Sequence, residues 1–158
     1  MTNRTSKNIR ICCFVALTLC LVCVLSMLVS FYTNLFGSHS SSHPIDWTQN
    51  SIKKVVVLVF YVVGTIAMAA LCVKVVINTM KGLRENNVFP HSNEKLLFWI
   101  ALAVFVRLFG TSNFLTLWDD DLVLAIVPEN LIVPFFLLFF AFMYKVAADA
   151  VEENNLTI

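Results

Sequence analysis

The sequence predicts an all-α integral membrane protein, a four-helix bundle forming a single domain over residues 1–158 with both termini cytoplasmic. Three observations predict it. Hydrophobic residues make up 59% of the chain and charged residues only 13%, against roughly 25% charged in soluble domains, and mean hydropathy is +0.82. Apolar runs recur four times at the length a bilayer needs, about 20 residues for a core about 30 Å thick. Lysine and arginine lie unevenly around those runs, and that asymmetry sets the orientation.

The first span runs from Ile11 to about Phe36. Arg4, Lys7 and Arg10 precede it as they would precede a signal peptide, but a cleavable apolar segment is about 7–15 residues long and closes on a small-x-small site. This run is longer and has no such site, so it is read as an uncleaved span. The second covers 55–77, and within it "VVGTIAMAALC" is thin: Gly64, Thr65, Ala67, Ala69 and Ala70 suit a close helix contact, within the bundle or in a homo-oligomer. The third covers 96–117. The fourth begins at Leu122 or Pro128 and reaches Val146, leaving a tail over 147–158. All four are expected as helices, because lipid offers no partner to a free backbone group and no period-2 barrel pattern is present.

With both ends cytoplasmic, the inner face holds Arg4, Lys7, Arg10, Lys74, Lys81, Arg84, Lys95 and Lys145, and the outer face only Lys53 and Lys54. The reverse orientation would violate the positive-inside rule. Asp119, Asp120 and Asp121 then fall outside, as does the serine-rich connector over 38–50 with Pro44 as breaker and Trp47 as an interfacial anchor. The segment over 78–95 is an inner loop, with Gly82 and the Asn pair at 86 and 87 as turn material.

Catalytic and metal signatures are weak. Cys20 and Cys23 form a C-x-x-C, but within an apolar run a thiol is inert. His39 and His43 have only Asp46 near them, and His91 lies across the membrane. A catalytic zinc site needs three converging ligands. There is no phosphate-binding loop, nucleophile elbow or dinucleotide fingerprint. A net charge of +1 gives no attraction for nucleic acid. The expectation is a protein that is not an enzyme, has no cofactor and does not bind nucleic acid directly.

The polar groups within the spans carry more weight, since an ionisable side chain at mid-depth is costly and normally functional or paired. Lys74 and Lys145 lie near span ends and can snorkel. Arg107 is roughly 16 Å into the third span by helical rise. Glu129, just after Pro128 in the first turn of the fourth helix, is roughly 24 Å above Lys145, so the two groups differ in depth by roughly 8 Å. They form a candidate intramembrane pair, with Asn113 and Asn130 nearby in sequence.

Two stretches, "NNVFPHSNEKLLFWIALAVF" and "FMYKVAADAVEENNLTI", resemble the small bacterial membrane proteins grouped as domain of unknown function 2975. The family's third helix opens on a Phe-[Ser/Thr]-x-x-Asn motif, matched here by Phe89 and Asn93. Its tail ends in a Glu-x-Asp-Leu-Thr-[Val/Ile] motif, matched by Glu153, Leu156, Thr157 and Ile158. Pro90 replaces the family's Ser or Thr, so Ser92 is expected to cap the third helix with Asn93 as its first residue. Tyr144 stands for the family's aromatic, and Ala147, Ala150 and Asn155 replace its Gly, Leu and Asp. The resemblance implies four spans, no known activity, and a gene neighbour encoding a small helix-turn-helix regulator.

Two functional expectations follow. In the first, the chain is a multi-pass sensor or adaptor in the cell's cytoplasmic membrane. Its inner face, the 78–95 loop and the tail, binds a transcription regulator, with the tail turning at Asn154 and Asn155 to lay Leu156 and Ile158 against the loop near Phe89 or against the partner. In the second, it is a small transporter or immunity-type protein working through Arg107, Asn113, Glu129 and Asn130 between spans three and four.

Overall fold

The computed structural model describes residues 3–36, 45, 47–85, 87, 89–118 and 123–156. Four helices follow one another: α1 (Asn3–Phe36), α2 (Ser51–Arg84), α3 (Ser92–Ser112) and α4 (Glu129–Leu156), with a 3-10 turn at Leu115–Trp118 between the last two. Each contains a stretch long and apolar enough to cross a bilayer. No strand occurs among the described residues.

The helices do not coincide with the apolar runs. α1 and α2 have 34 residues each, about 51 Å at helical rise, because the polar residues that follow the second run, through Lys81 and Arg84, continue the helix instead of breaking it. α3 stops at Ser112, short of Leu117. Its C-terminal sequence Gly110-Thr111-Ser112-Asn113 is poor in helix formers, and the chain tightens into i→i+3 bonds, with Thr116 N–H on Asn113 O at 3.3 Å and Leu117 N–H on Phe114 O at 3.2 Å. α4 begins at Glu129, directly after Pro128, the later of the two expected starts; residues 123–127 precede it without helical structure. Pro128 sits just before its first residue, where a missing N–H costs nothing.

α3 is the central element. It packs on α2 and on α4, while α1 packs on α2. Of the spanning stretches, that of α3 is 44% buried and that of α1 only 6%, so α1 presents Phe14, Leu19, Leu21 and Val22 to the surroundings, a surface suited to lipid tails.

The α2–α3 contact is the tightest. A Cβ added to Gly64 would lie 2.6 Å from the backbone nitrogen of Arg107, and one added to Gly110 would overlap the backbone of Tyr61. Each glycine therefore admits the facing backbone, which is how helices approach closely where no hydrophobic effect drives them together. Beyond the glycines, Phe60 packs on Phe109 at 5.5 Å and Tyr61 on Phe114 at 5.1 Å between ring centroids. Val57, Phe114 and Leu117 close that end as a small buried cluster. Gly64 and Thr65 of the thin stretch are buried, whereas Ala70 is exposed, so only part of it forms the seam. The start of α3 lies at the same end of the bundle as the ends of α2 and α4, where Asn93 bonds Thr79 and Glu94 meets Lys145.

Candidate functional site

The α2–α3 turn is built on α2. Gly82 is not turn material: it is a buried residue of the helix itself, and its carbonyl accepts from Glu85 N–H at 3.0 Å and Asn87 N–H at 2.8 Å. A side chain there would meet the Asn87 carbonyl at 2.5 Å, so glycine lets the loop fold back over the helix. Asn87 Oδ1 then accepts from Phe89 N–H at 3.0 Å, a local turn of the kind Asn favours.

α3 starts at Ser92, and the expected serine cap is absent. His91 occupies the N-cap position with helical dihedrals and no side-chain cap. Asn93 N–H bonds Pro90 O at 2.9 Å and Glu94 N–H bonds His91 O at 3.1 Å, so backbone carbonyls serve donors that a hydroxyl would otherwise satisfy. Asn93 is thereby free to turn inward. It is fully buried, and its Nδ2 donates to Thr79 Oγ1 at 3.0 Å on α2.

α4 closes over this turn. The Tyr144 hydroxyl donates to Pro90 O at 3.2 Å and interacts with the Asn93 side chain, while the Tyr144 ring meets Phe89 edge-on at 5.5 Å. Outside that buried contact runs a charged string. Lys145 Nζ lies 3.5 Å from Glu94, and His91 lies 2.8 Å from Glu152 through Nε2 and 3.8 Å from Glu94 through Nδ1. His91, Lys145 and Glu152 are exposed and Glu94 is partly buried, so each pair contributes about 0–1 kcal/mol. The rings and the buried amide position the surface; the charges decorate it.

Phe89 and Asn93 thus meet α4, but not through the tail as expected. α4 remains helical through Asn154 and Asn155 to Leu156, so no turn folds the chain back, and Phe89 has Tyr144 as its partner. Glu153 is exposed on the last turns. The side chain of Leu156, and Thr157 and Ile158 entirely, lie outside the described residues, as do Asp119–Asp121 and the histidines of the 38–50 connector. The sequence presents Tyr144 only as the family's aromatic and His91 only as an isolated histidine, neither as a site residue. Their signal was present, an aromatic inside a tail motif and a histidine three residues before Glu94, but it needed α3 and α4 placed side by side.

Arg107 and Glu129 form no direct ion pair. Arg107 lies on the face of α3 that meets Gly64, and its Nη1 reaches the Met68 sulfur at 3.7 Å. Glu129 is exposed at the start of α4. α3 turns a different side toward that end of α4, with Phe105, Leu108 and Ser112 lining the junction, and successive residues point about 100° apart around a helix. Matching depth therefore left the direction wrong. Asn113 and Asn130 instead stitch the α3–α4 connection. Asn113, 1% exposed, donates through Nδ2 to Ala125 O at 2.9 Å and accepts from Ala125 N–H at 2.8 Å. Asn130 Nδ2 donates to Ser112 Oγ.

Among the described residues, no group of three or more His, Cys, Asp or Glu is placed to hold a metal. Comparison with known proteins finds no matching family model, no matching curated protein and no matching solved structure.

Proposed function

We propose that the chain is a non-enzymatic, multi-pass protein of the cytoplasmic membrane that acts as a sensor or adaptor. Its working surface is the platform formed by the α2–α3 turn and the end of α4, and its partner is a soluble cytoplasmic protein such as a small helix-turn-helix regulator. The observation that carries this reading is the junction of Phe89, Asn93 and Tyr144. It fixes two segments distant in sequence into one surface, on which Glu85, His91, Asp149, Glu152 and Glu153 stand exposed. Lys81, Arg84, Lys95 and Lys145 are exposed beside them, so the surface offers both signs of charge to a soluble partner. The excess of Lys and Arg at the same end supports a cytoplasmic placement.

The test is capture of a soluble partner from solubilised membranes by three forms: the intact chain, a chain with Asp149, Glu152 and Glu153 all replaced by Lys, and Arg107→Met. The reading expects capture by the first and third and loss with the second. Capture of the same species by all three, or of none by the intact chain, overturns it.

A further inference from the structure

A cavity of about 520 Å³ opens between α1, α2 and α3, with Leu17, Cys20, Met68, Cys72, Leu97 and Ile100 in its wall. Its size falls within the roughly 300–1,000 Å³ of ligand sites, and its wall is apolar as theirs mostly are. Arg107 reaches this wall through Met68. A helical side chain leans toward its own N-terminus, so Arg107 extends from the level of Gly64 to that of Met68, and Met68 is both part of the wall and the acceptor of Arg107 Nη1 at 3.7 Å.

That acceptor is poor, because a thioether binds a proton donor only weakly. Arg107 Nε is buried with no hydrogen-bond partner, and among the described residues no carboxylate pairs with this guanidinium. A cation held at mid-depth is costly without a counter-charge, and the group that best matches the guanidinium fork is a carboxylate. A phospholipid headgroup, even one that carries a carboxylate, does not bring it to this depth. It stays at the interface, whereas Arg107 lies about 22 Å along α3 from Ser92. The matching molecule is a single chain able to sink into the bilayer.

We propose that this cavity binds a long-chain carboxylic acid, with the carboxyl on Arg107 in place of the Met68 sulfur and the chain lying between α1 and α2. Met68, unbranched and adaptable, swings aside to admit the head. The inference does not depend on the partner surface at the end of the bundle.

The experiment compares palmitic acid with hexadecanol, which has the same chain without the acid, as competitors for labelled palmitate on the whole protein in phosphatidylcholine nanodiscs. Palmitate is expected to bind about tenfold or more tightly than the alcohol, the size of one charge-assisted contact. R107Q should reduce palmitate to the level of the alcohol, and C72W, which fills the cavity, should weaken both. Equal binding of the two competitors by the unaltered protein overturns the proposal, with no variant needed. So does undiminished palmitate binding by R107Q or by C72W.

Discussion

Asn113 replaces a stretch of backbone pairing with one amide, holding both the N–H and the carbonyl of Ala125. Asn113→Leu should therefore orphan two backbone groups and destabilise the protein by about 2–4 kcal/mol, seen as a lower unfolding temperature in detergent. Tyr144→Phe removes only the bond to Pro90 O and keeps the ring against Phe89, so about 0.5–1.5 kcal/mol is expected. Glu152→Ala, at an exposed pair, should cost less than about 1 kcal/mol; a larger loss would mean that the charged string holds the platform together. Single residues were the least legible level of the sequence. Helical rise gave the depth of Arg107, but which neighbour it faces depends on how α3 is rotated, and nothing in its flanking residues shows that α2 offers it a glycine. Asn113 stands out in the sequence as a polar group near the membrane, yet its partner is a backbone, which no side-chain pattern reveals.

Each helix is legible where lipid selects its composition and illegible beyond. The four runs marked four helices, but the end of α2 at Arg84 and that of α4 at Leu156 lie in polar sequence, where hydropathy is silent. The third apolar run reaches Leu117 although α3 stops at Ser112, because the 3-10 turn at Leu115–Trp118 is apolar enough to pass for membrane helix, whereas Pro128 marks the start of α4. The α2–α3 seam allows a sharper test. Valine at Gly64 or Gly110 meets backbone that cannot rotate away, so each should lower stability by about 1–3 kcal/mol or more. Ala70→Val, at an exposed position, should change little. Comparable losses at all three sites would remove the seam from this account.

For the molecule as a whole, the positive-inside rule yields a directly measurable expectation. In a background without its five cysteines, Glu85→Cys should react with an impermeant maleimide only after the membrane is opened, and Val123→Cys should react in intact cells. The reverse result would place the platform outside and end the adaptor reading. The class and the number of helices were legible because a bilayer restricts composition so strongly; the assembly was not, because helices in lipid choose neighbours by shape. Shape also acts in time. α2 leaves the ribosome before α3, and at about 5–20 residues per second the groove at Gly64 waits some seconds for the helix that fills it. Until then α1 and α2 have only each other, a shallow contact, and a chain interrupted before Ser92 should be recognised as unfinished and degraded. The arrival of α3 is the moment at which the protein becomes one object.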